Sequence, residues 1–305
     1  MKIYDNLSEL KNLKGSVVTI GNFDGLHIGH QSLIDKSNEV ARKKNLTSVL
    51  LTFRNHPLNF IMNKDLKKLM TVQRKYEVSK YFGIDKFVSI DFTQEICNLD
   101  PINFVKKIII EAFNGKEVVV GHDFRFGKAR KGDIKLLREY SKKFNFNLHV
   151  IDPVIMDEKR ISSTLIRELL DFGHVKKASK FLGRDYEIIG KVVHGKKLGR
   201  KLGYPTLNLE VDKEILIPKS GVYYTNAKIN GKMYKSATNI GFNPTIEGDK
   251  FSIETFVLDF NEEIYGEEIY LYFKERLRDE KKFDSLEELK KQMDEDIRKV
   301  QKNLL

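Results

Sequence analysis

A change of texture near residue 183 limits the possible folds more than any other feature of the chain. Before it, short β-branched runs alternate with helically spaced segments; after it, strands follow one another across glycine turns. Ser16-Val17-Val18-Thr19-Ile20, Ser48-Val49-Leu50-Leu51-Thr52-Phe53, Lys86-Phe87-Val88-Ser89-Ile90 and Glu117-Val118-Val119-Val120 read as strands buried on both faces. Leu33, Ile34, Val40 and Ala41 keep helical spacing between the first two. Such alternation implies a parallel sheet covered by helices, with ligands beyond the carboxyl ends of its strands.

In the second half, Ala227-Lys228-Ile229 and Lys232-Met233-Tyr234 flank Asn230-Gly231, a pair suited to a type I′ hairpin. Several such strands predict a small antiparallel β-barrel. A terminal helix should begin near Ser285, where Ser285 and Glu288 form a capping box. Leu286, Leu289, Met293, Ile297 and Val300 then make one apolar docking stripe. The expected boundary is Gly183-Arg184-Asp185, giving an α/β domain over 1–183 and a barrel domain with a terminal helix over 184–305. A chain of 305 residues exceeds one ordinary core, and a hydrophobic fraction of 41% can supply two.

Cys97 is the only cysteine, which excludes an internal disulfide and any cysteine-based zinc site. Charge appears within the first five residues and no long apolar stretch follows, so no signal peptide is expected. Runs such as Ile108-Ile109-Ile110 are too short to span a bilayer, and a cytoplasmic location is expected, without a membrane partner. The net charge of +11 is spread over pairs such as Lys43-Lys44 and Lys142-Lys143. Scattered in this way it describes a solvated surface and predicts no dedicated nucleic-acid partner, although nucleotide phosphates would benefit from the field. An RNA-binding protein with a basic barrel stays open. It calls for aromatic platforms, and Lys196, Lys197, Arg200 and Lys201 have only Tyr204 nearby. Oligomeric state is left open.

Gly21-Asn22-Phe23-Asp24-Gly25-Leu26-His27-Ile28-Gly29-His30 joins the first strand to a helix. A helix start offers unpaired N–H groups and partial positive charge to a phosphate. His27 and His30 can project together from the first turn, with Gly29 leaving room, and two imidazoles can stabilise charge developing on a phosphoryl group. A pair of surface histidines or half of a zinc site are the alternatives. No G-x-x-x-x-G-K-[ST] run occurs, so ordinary P-loop chemistry is excluded.

Arg160-Ile161-Ser162-Ser163-Thr164-Leu165-Ile166-Arg167 places three hydroxyls before a helix. These could simply cap it, but Arg167, one turn in, opposes the helix dipole and is better explained by an anionic ligand. Gly121-His122-Asp123-Phe124-Arg125-Phe126-Gly127 lies at a strand's carboxyl end, where a turn is expected to face ligand.

In the barrel half, Gly195, Gly199 and Gly203 punctuate a basic segment containing Arg200, followed by Pro205, Thr206 and Asn208. On an extended segment Thr206 and Asn208 point the same way, and their neutral oxygens suit Mg²⁺ held with substrate phosphates. A solvated basic loop before an ordinary strand is the alternative. In Ser252 to Phe260, alternation places Glu254 on one face with Phe256 and Leu258, which suits a general base or, alternatively, a structural salt bridge.

Taken together, Gly21 to His30 resembles the G-x-F-D-G-x-H-x-G-H signature of the bacterial bifunctional riboflavin kinase/FMN adenylyltransferases, a branch of the HxGH nucleotidyltransferases. Ile161 to Arg167 is similar to their second ATP motif, of the form S-S-T-x-I-R, and Gly121 to Gly127 to their G-x-D-F-R-F-G loop. The barrel half resembles their riboflavin kinase module through the glycine-rich segment with Pro-Thr-x-Asn, Pro218 to Tyr223, Asn239 to Thr245, and Glu254 leading into Leu258-Asp259-Phe260. Asn55 stands where the family usually has proline, and Asn243 where it has arginine.

The resemblance implies a Rossmann-like nucleotidyltransferase domain followed by a kinase barrel. ATP, riboflavin, FMN and FAD would be substrates or products, with Mg²⁺ as cofactor. It implies that His27, His30 and Arg167 serve adenylyl transfer. Gly21, Phe23, Asp24, Gly29, Asp123, Arg160, Ser162, Ser163 and Thr164 would surround that ATP. In the barrel, Gly195, Gly199, Arg200, Gly203 and Pro205 would shape the ATP and flavin site, Thr206 and Asn208 would bind Mg²⁺, and Glu254 would deprotonate the riboflavin 5′-hydroxyl.

Overall fold

The structure is a computed structural model that describes residues 2–10, 13–195, 203–245 and 248–302. By packing, the chain divides into two compact units, Met1–Ser163 and Thr164–Leu305.

The first unit is built on a six-stranded parallel sheet: β1 (Ile3–Tyr4), β2 (Ser16–Ile20), β3 (Thr47–Phe53), β4 (Lys86–Ile90), β5 (Gly115–Gly121) and β6 (Asn147–Ile151). Their order is β1-β4-β3-β2-β5-β6. The four runs expected as strands are β2 to β5, and their alternate residues supply two cores because helices cover both faces. Val18, Ile20, Val49, Leu51, Val118 and Val120 meet Phe104, Val105, Ile108 and Ile109 on one side. Val17, Leu50, Phe87 and Val119 meet Leu33, Ile34, Val40 and Ala41 of α1 (Ile28–Lys44) on the other. α2 (Pro57–Met62) and α3 (Val72–Tyr81) lie between β3 and β4 in sequence, α4 (Gln94–Asn98) and α5 (Pro101–Phe104) between β4 and β5, and α6 (Ile134–Phe144) between β5 and β6. Strand order reverses between β2 and β5, and a ligand crevice is expected at the carboxyl ends of those two strands.

The second unit is a closed antiparallel barrel of β9 (Tyr186–Val193), β10 (Thr206–Val211), β11 (Gly221–Ile229), β12 (Lys232–Thr245), β13 (Gly248–Val257) and β14 (Glu268–Arg278), in the order β10-β13-β12-β11-β14-β9. β7 (Ile155–Met156) and β8 (Lys159–Arg160) form a separate hairpin in the first unit. Asn230 and Gly231 both take positive φ between β11 and β12, as a type I′ turn requires. Inside the barrel Thr225, Ser236, Thr238 and Thr255 form a buried chain of hydroxyls 2.7 to 2.8 Å apart. Each hydroxyl thereby finds the partner that burial demands.

Helix α7 (Ser163–Asp171) leads into α8 (Val175–Leu182), which buries Val175, Ala178, Phe181 and Leu182 and lies against β14. The terminal helix α9 (Leu286–Lys302) is capped by Ser285, whose Oγ accepts the Glu288 N–H at 3.2 Å. Its docking differs from expectation. Ile297 and Val300 are buried against Tyr224 and Leu258, whereas Leu286 is 64% exposed. The buried anchoring residues lie in the second half of the helix, where Asp296, buried, pairs with Arg278 at 2.9 Å. Among the described residues no helix is long and apolar enough to cross a membrane.

Candidate active sites

The segment after β2 turns through an unusual backbone. Phe23, Gly25 and Leu26 all take positive φ, and Phe23 and Leu26 are fully buried non-glycine residues held there by packing. Strain of this kind, on the order of 1–3 kcal/mol per residue, concentrates at functional turns. The turn delivers His27 to the N-cap of α1, where its Nδ1 accepts the His30 N–H at 3.3 Å. The other ring nitrogen, Nε2, is then the end that can donate. The two imidazoles stack with centroids 3.6 Å apart, so both share one side of the helix start. Gly29 is required by close approach, since a Cβ there would lie 3.2 Å from the His27 ring.

The second phosphate-like element meets this turn despite a separation of 139 residues: Ser163 Oγ donates to the Asp24 carbonyl at 2.8 Å. The Ile161 carbonyl also lies within contact range of the position a Gly29 Cβ would occupy. Ser162 sits between them. Asp24 turns its buried carboxylate onto the Leu69 N–H, at 3.0 and 3.2 Å from its two oxygens, and so ties the turn to the chain before α3. Gly21 packs against the Phe23 ring. Asp123, after β5, pairs with Arg160 of β8, and both side chains stay about half exposed. Burial pushes the Asp123 carboxyl up, but the Arg160 bond and charge outweigh it and hold it below the usual range. In the second unit Thr164 lies in the first turn of α7, and Arg167, 7% exposed, follows one turn later.

In the barrel, β10 pairs with β13 so that Asn208 stands opposite Glu254 and Thr206 opposite Phe256. Thr206 Oγ1 donates to Glu254 Oε2 at 3.3 Å, and Asn239 faces Glu254 from β12. Ile253, Thr255 and Val257 point into the barrel and are buried, while Glu254 and Phe256 point outward. Gly195 lies so near Asn208 that a Cβ would come within 2.1 Å of its side chain. Beside the carboxylate, Tyr204, Phe256, Leu258 and Ile297 line a cleft between the end of β13 and α9, rimmed by Asp294 and Arg298. Phe256 meets the Tyr204 ring edge to face, and the Tyr204 hydroxyl donates to Asp294. Gly203 and Pro205 are exposed next to Thr206, while Gly199 and Arg200 lie outside the described residues.

Two family models divide the chain between them: FAD synthetase over residues 9–165 and riboflavin kinase over 182–304. A protein named bifunctional riboflavin kinase/FMN adenylyltransferase from Buchnera aphidicola subsp. Schizaphis graminum is 37% identical over 99% of this chain and 98% of its own. The chain belongs to this bifunctional family. A Bacillus subtilis member of the same name is 34% identical, covering 92% of this chain and 90% of its own. A crystal structure described as a macrolide-efflux protein from Streptococcus pneumoniae shares the fold across 99% of both chains, with a TM-score of 0.90 and 32% identity. That description differs from the names of the enzyme relatives.

Asn55 and Lys75 have bonding partners that the sequence did not announce. Asn55, which stands where the family usually has proline, bonds twice to the backbone of Phe92, donating to its carbonyl at 3.1 Å and accepting its N–H at 2.7 Å. It clamps the loop after β3 to the end of β4 by hydrogen bonds. Lys75 lies in no motif, and a lysine within an amphipathic helix reads as solvated surface; nothing in its spacing announced that it is buried under the motif turn.

Proposed function

We propose that the chain phosphorylates riboflavin to FMN with residues 184–305 and adenylylates FMN to FAD with residues 1–183. The observation that carries this reading is the meeting of two distant phosphate elements, Ser163 on the Asp24 carbonyl beside the stacked His27 and His30. In adenylyl transfer, a phosphate oxygen of FMN attacks the α-phosphorus of ATP; the new P–O bond forms as the bond to pyrophosphate breaks. FMN is already anionic, so no base is needed. His27, through Nε2, and His30 stabilise the charge, and Ser162, Ser163, Thr164 and Arg167 hold the triphosphate. Gly21, Phe23, Asp24 and Gly29 shape the turn, with Asp123 and Arg160 at the nucleotide side.

Riboflavin offers a neutral 5′-hydroxyl instead. Glu254 takes its proton while the oxygen bonds to the γ-phosphorus and ADP departs. The Tyr204, Phe256 and Ile297 cleft receives the flavin ring, whose flat apolar faces match its lining. Gly195, Gly199, Arg200, Gly203 and Pro205 border the nucleotide. The adjacent oxygens of Thr206, Asn208 and Glu254 are hard donors that fit Mg²⁺, with Thr206 and Asn208 as its ligands. When bound, the ion neutralises charge on the transferring phosphates. The enzyme acts in the cytoplasm on small molecules, without nucleic-acid or membrane partners.

Incubation with riboflavin, ATP and Mg²⁺, followed by chromatography of the flavins, tests both halves. FMN and FAD should both appear. Glu254→Gln should stop FMN formation, a loss of about 100-fold or more, yet still convert supplied FMN to FAD. His30→Ala should accumulate FMN. Normal riboflavin phosphorylation by Glu254→Gln would remove the general base from this account.

A further inference from the structure

Lys75 of α3 is 4% exposed. Its Nζ donates to the Asn22 carbonyl at 2.7 Å and to Thr52 Oγ1 at 3.0 Å, and Thr52 Oγ1 donates to the same carbonyl at 2.9 Å. A buried ammonium is costly, and the Asn22 carbonyl already has the threonine as a neutral donor. The acceptors are the first residue of the strained turn and the end of β3, the strand beside β2. Charge at this point therefore acts on the turn that positions the two histidines.

We propose that Lys75 is a positioning residue for adenylyl transfer: its ammonium, gripping Asn22 and Thr52, fixes the 22–26 turn and through it the approach of His27 and His30 to the nucleotide phosphates. The role rests on the adenylyl-transfer reading above. The charged and titratable groups facing Lys75 are Asp24 in the turn, Lys68 in the chain before α3, and Arg54 and His56 after β3, all lining one small cavity with it. Burial pushes Lys75 down to about 8, Asp24 opposes the fall and Lys68 adds to it. FAD formation should accordingly decline with an alkaline limb near that value as the ammonium is lost.

The test uses full-length protein, with FMN-to-FAD conversion and riboflavin phosphorylation measured in the same preparations between pH 6 and 10. Lys75→Met keeps the stem and removes the charge. It should lower kcat for FAD formation about 100-fold, the scale of a 1 Å misplacement, with KM for ATP changed less than about threefold. Riboflavin phosphorylation should stay within about twofold, and the alkaline limb should vanish. Thr52→Val removes one acceptor and should lower kcat about 10-fold while moving the limb to lower pH. FAD formation by Lys75→Met within about threefold of wild type, or an alkaline limb unmoved in both variants, overturns the role. Should Lys75→Met fail to fold, Thr52→Val decides: an unmoved limb overturns the role and a shifted one supports it. Wild-type protein that phosphorylates riboflavin but makes no FAD from FMN overturns the underlying activity, a result distinct from failure of the Lys75 role alone.

Discussion

The buried Lys75 should also write itself into the pH dependence of folding, independently of catalysis. Its ordinary value is 10.5 and its folded value about 8. Between those values the unfolded chain binds a proton that the native state lacks, so stability rises with pH across that window. The full difference of about 2.5 units corresponds to about 3.4 kcal/mol, of which about 2 kcal/mol is recovered between pH 7.0 and 9.5. Lys75→Met has no such proton. Urea-dependent hydrogen exchange at the two pH values, read on peptides from β2 and β3, gives the stability of the first unit for both proteins. Wild type should gain about 2 kcal/mol relative to the variant on going from pH 7.0 to 9.5. A relative change below about 0.5 kcal/mol would show that Lys75 stays charged in the fold and would refute the reasoning.

Glu117 is the acidic counterpart. Burial pushes its carboxyl up, yet bonds from Lys44, His149 and Asn147 bring it below the usual value. Its stabilisation is present above the unfolded value and lost as pH falls through the lower folded one; Glu117→Gln should cost about 2 kcal/mol at pH 7 and flatten acid denaturation of the first unit. Gly195→Ala should push Asn208 aside and reduce riboflavin phosphorylation at least about tenfold, with FMN-to-FAD conversion unchanged, as flavin chromatography would show. Asp296→Ala strands Arg278 and should destabilise the barrel unit by about 3 kcal/mol in chemical denaturation while raising KM for riboflavin.

Legibility in the sequence followed burial. β2 to β5 are apolar on both faces and stood out; β6, with Asn147 and His149 turned to Glu117, carries too much polarity to announce itself. The stripe on α9 marks potential contact, but helix geometry alone could not tell that the helix outruns the barrel and leaves Leu286 in water. At the candidate sites, local spacing anticipated that His27 would lie beside His30, three residues away on one helix start, and regular strand geometry could carry Thr206 to Glu254. What remained hidden were long-range bonds: Ser163 to Asp24, Asn55 to Phe92, Lys75 to Asn22. A backbone carbonyl as partner leaves no trace in residue identities.

The pairing of β1 with β4 bears on how the protein can be handled. The barrel closes on itself, but among the described residues the outer rim of β4 is sealed by Ile3 opposite Phe87 and Tyr4 opposite Val88. Loss of those two residues would present the backbone of a largely buried strand as a template for intermolecular pairing. Trimming at the amino end, or a fusion that tugs β1 away, should therefore provoke aggregation of otherwise folded protein, whereas equivalent changes at the carboxyl end would open no strand edge.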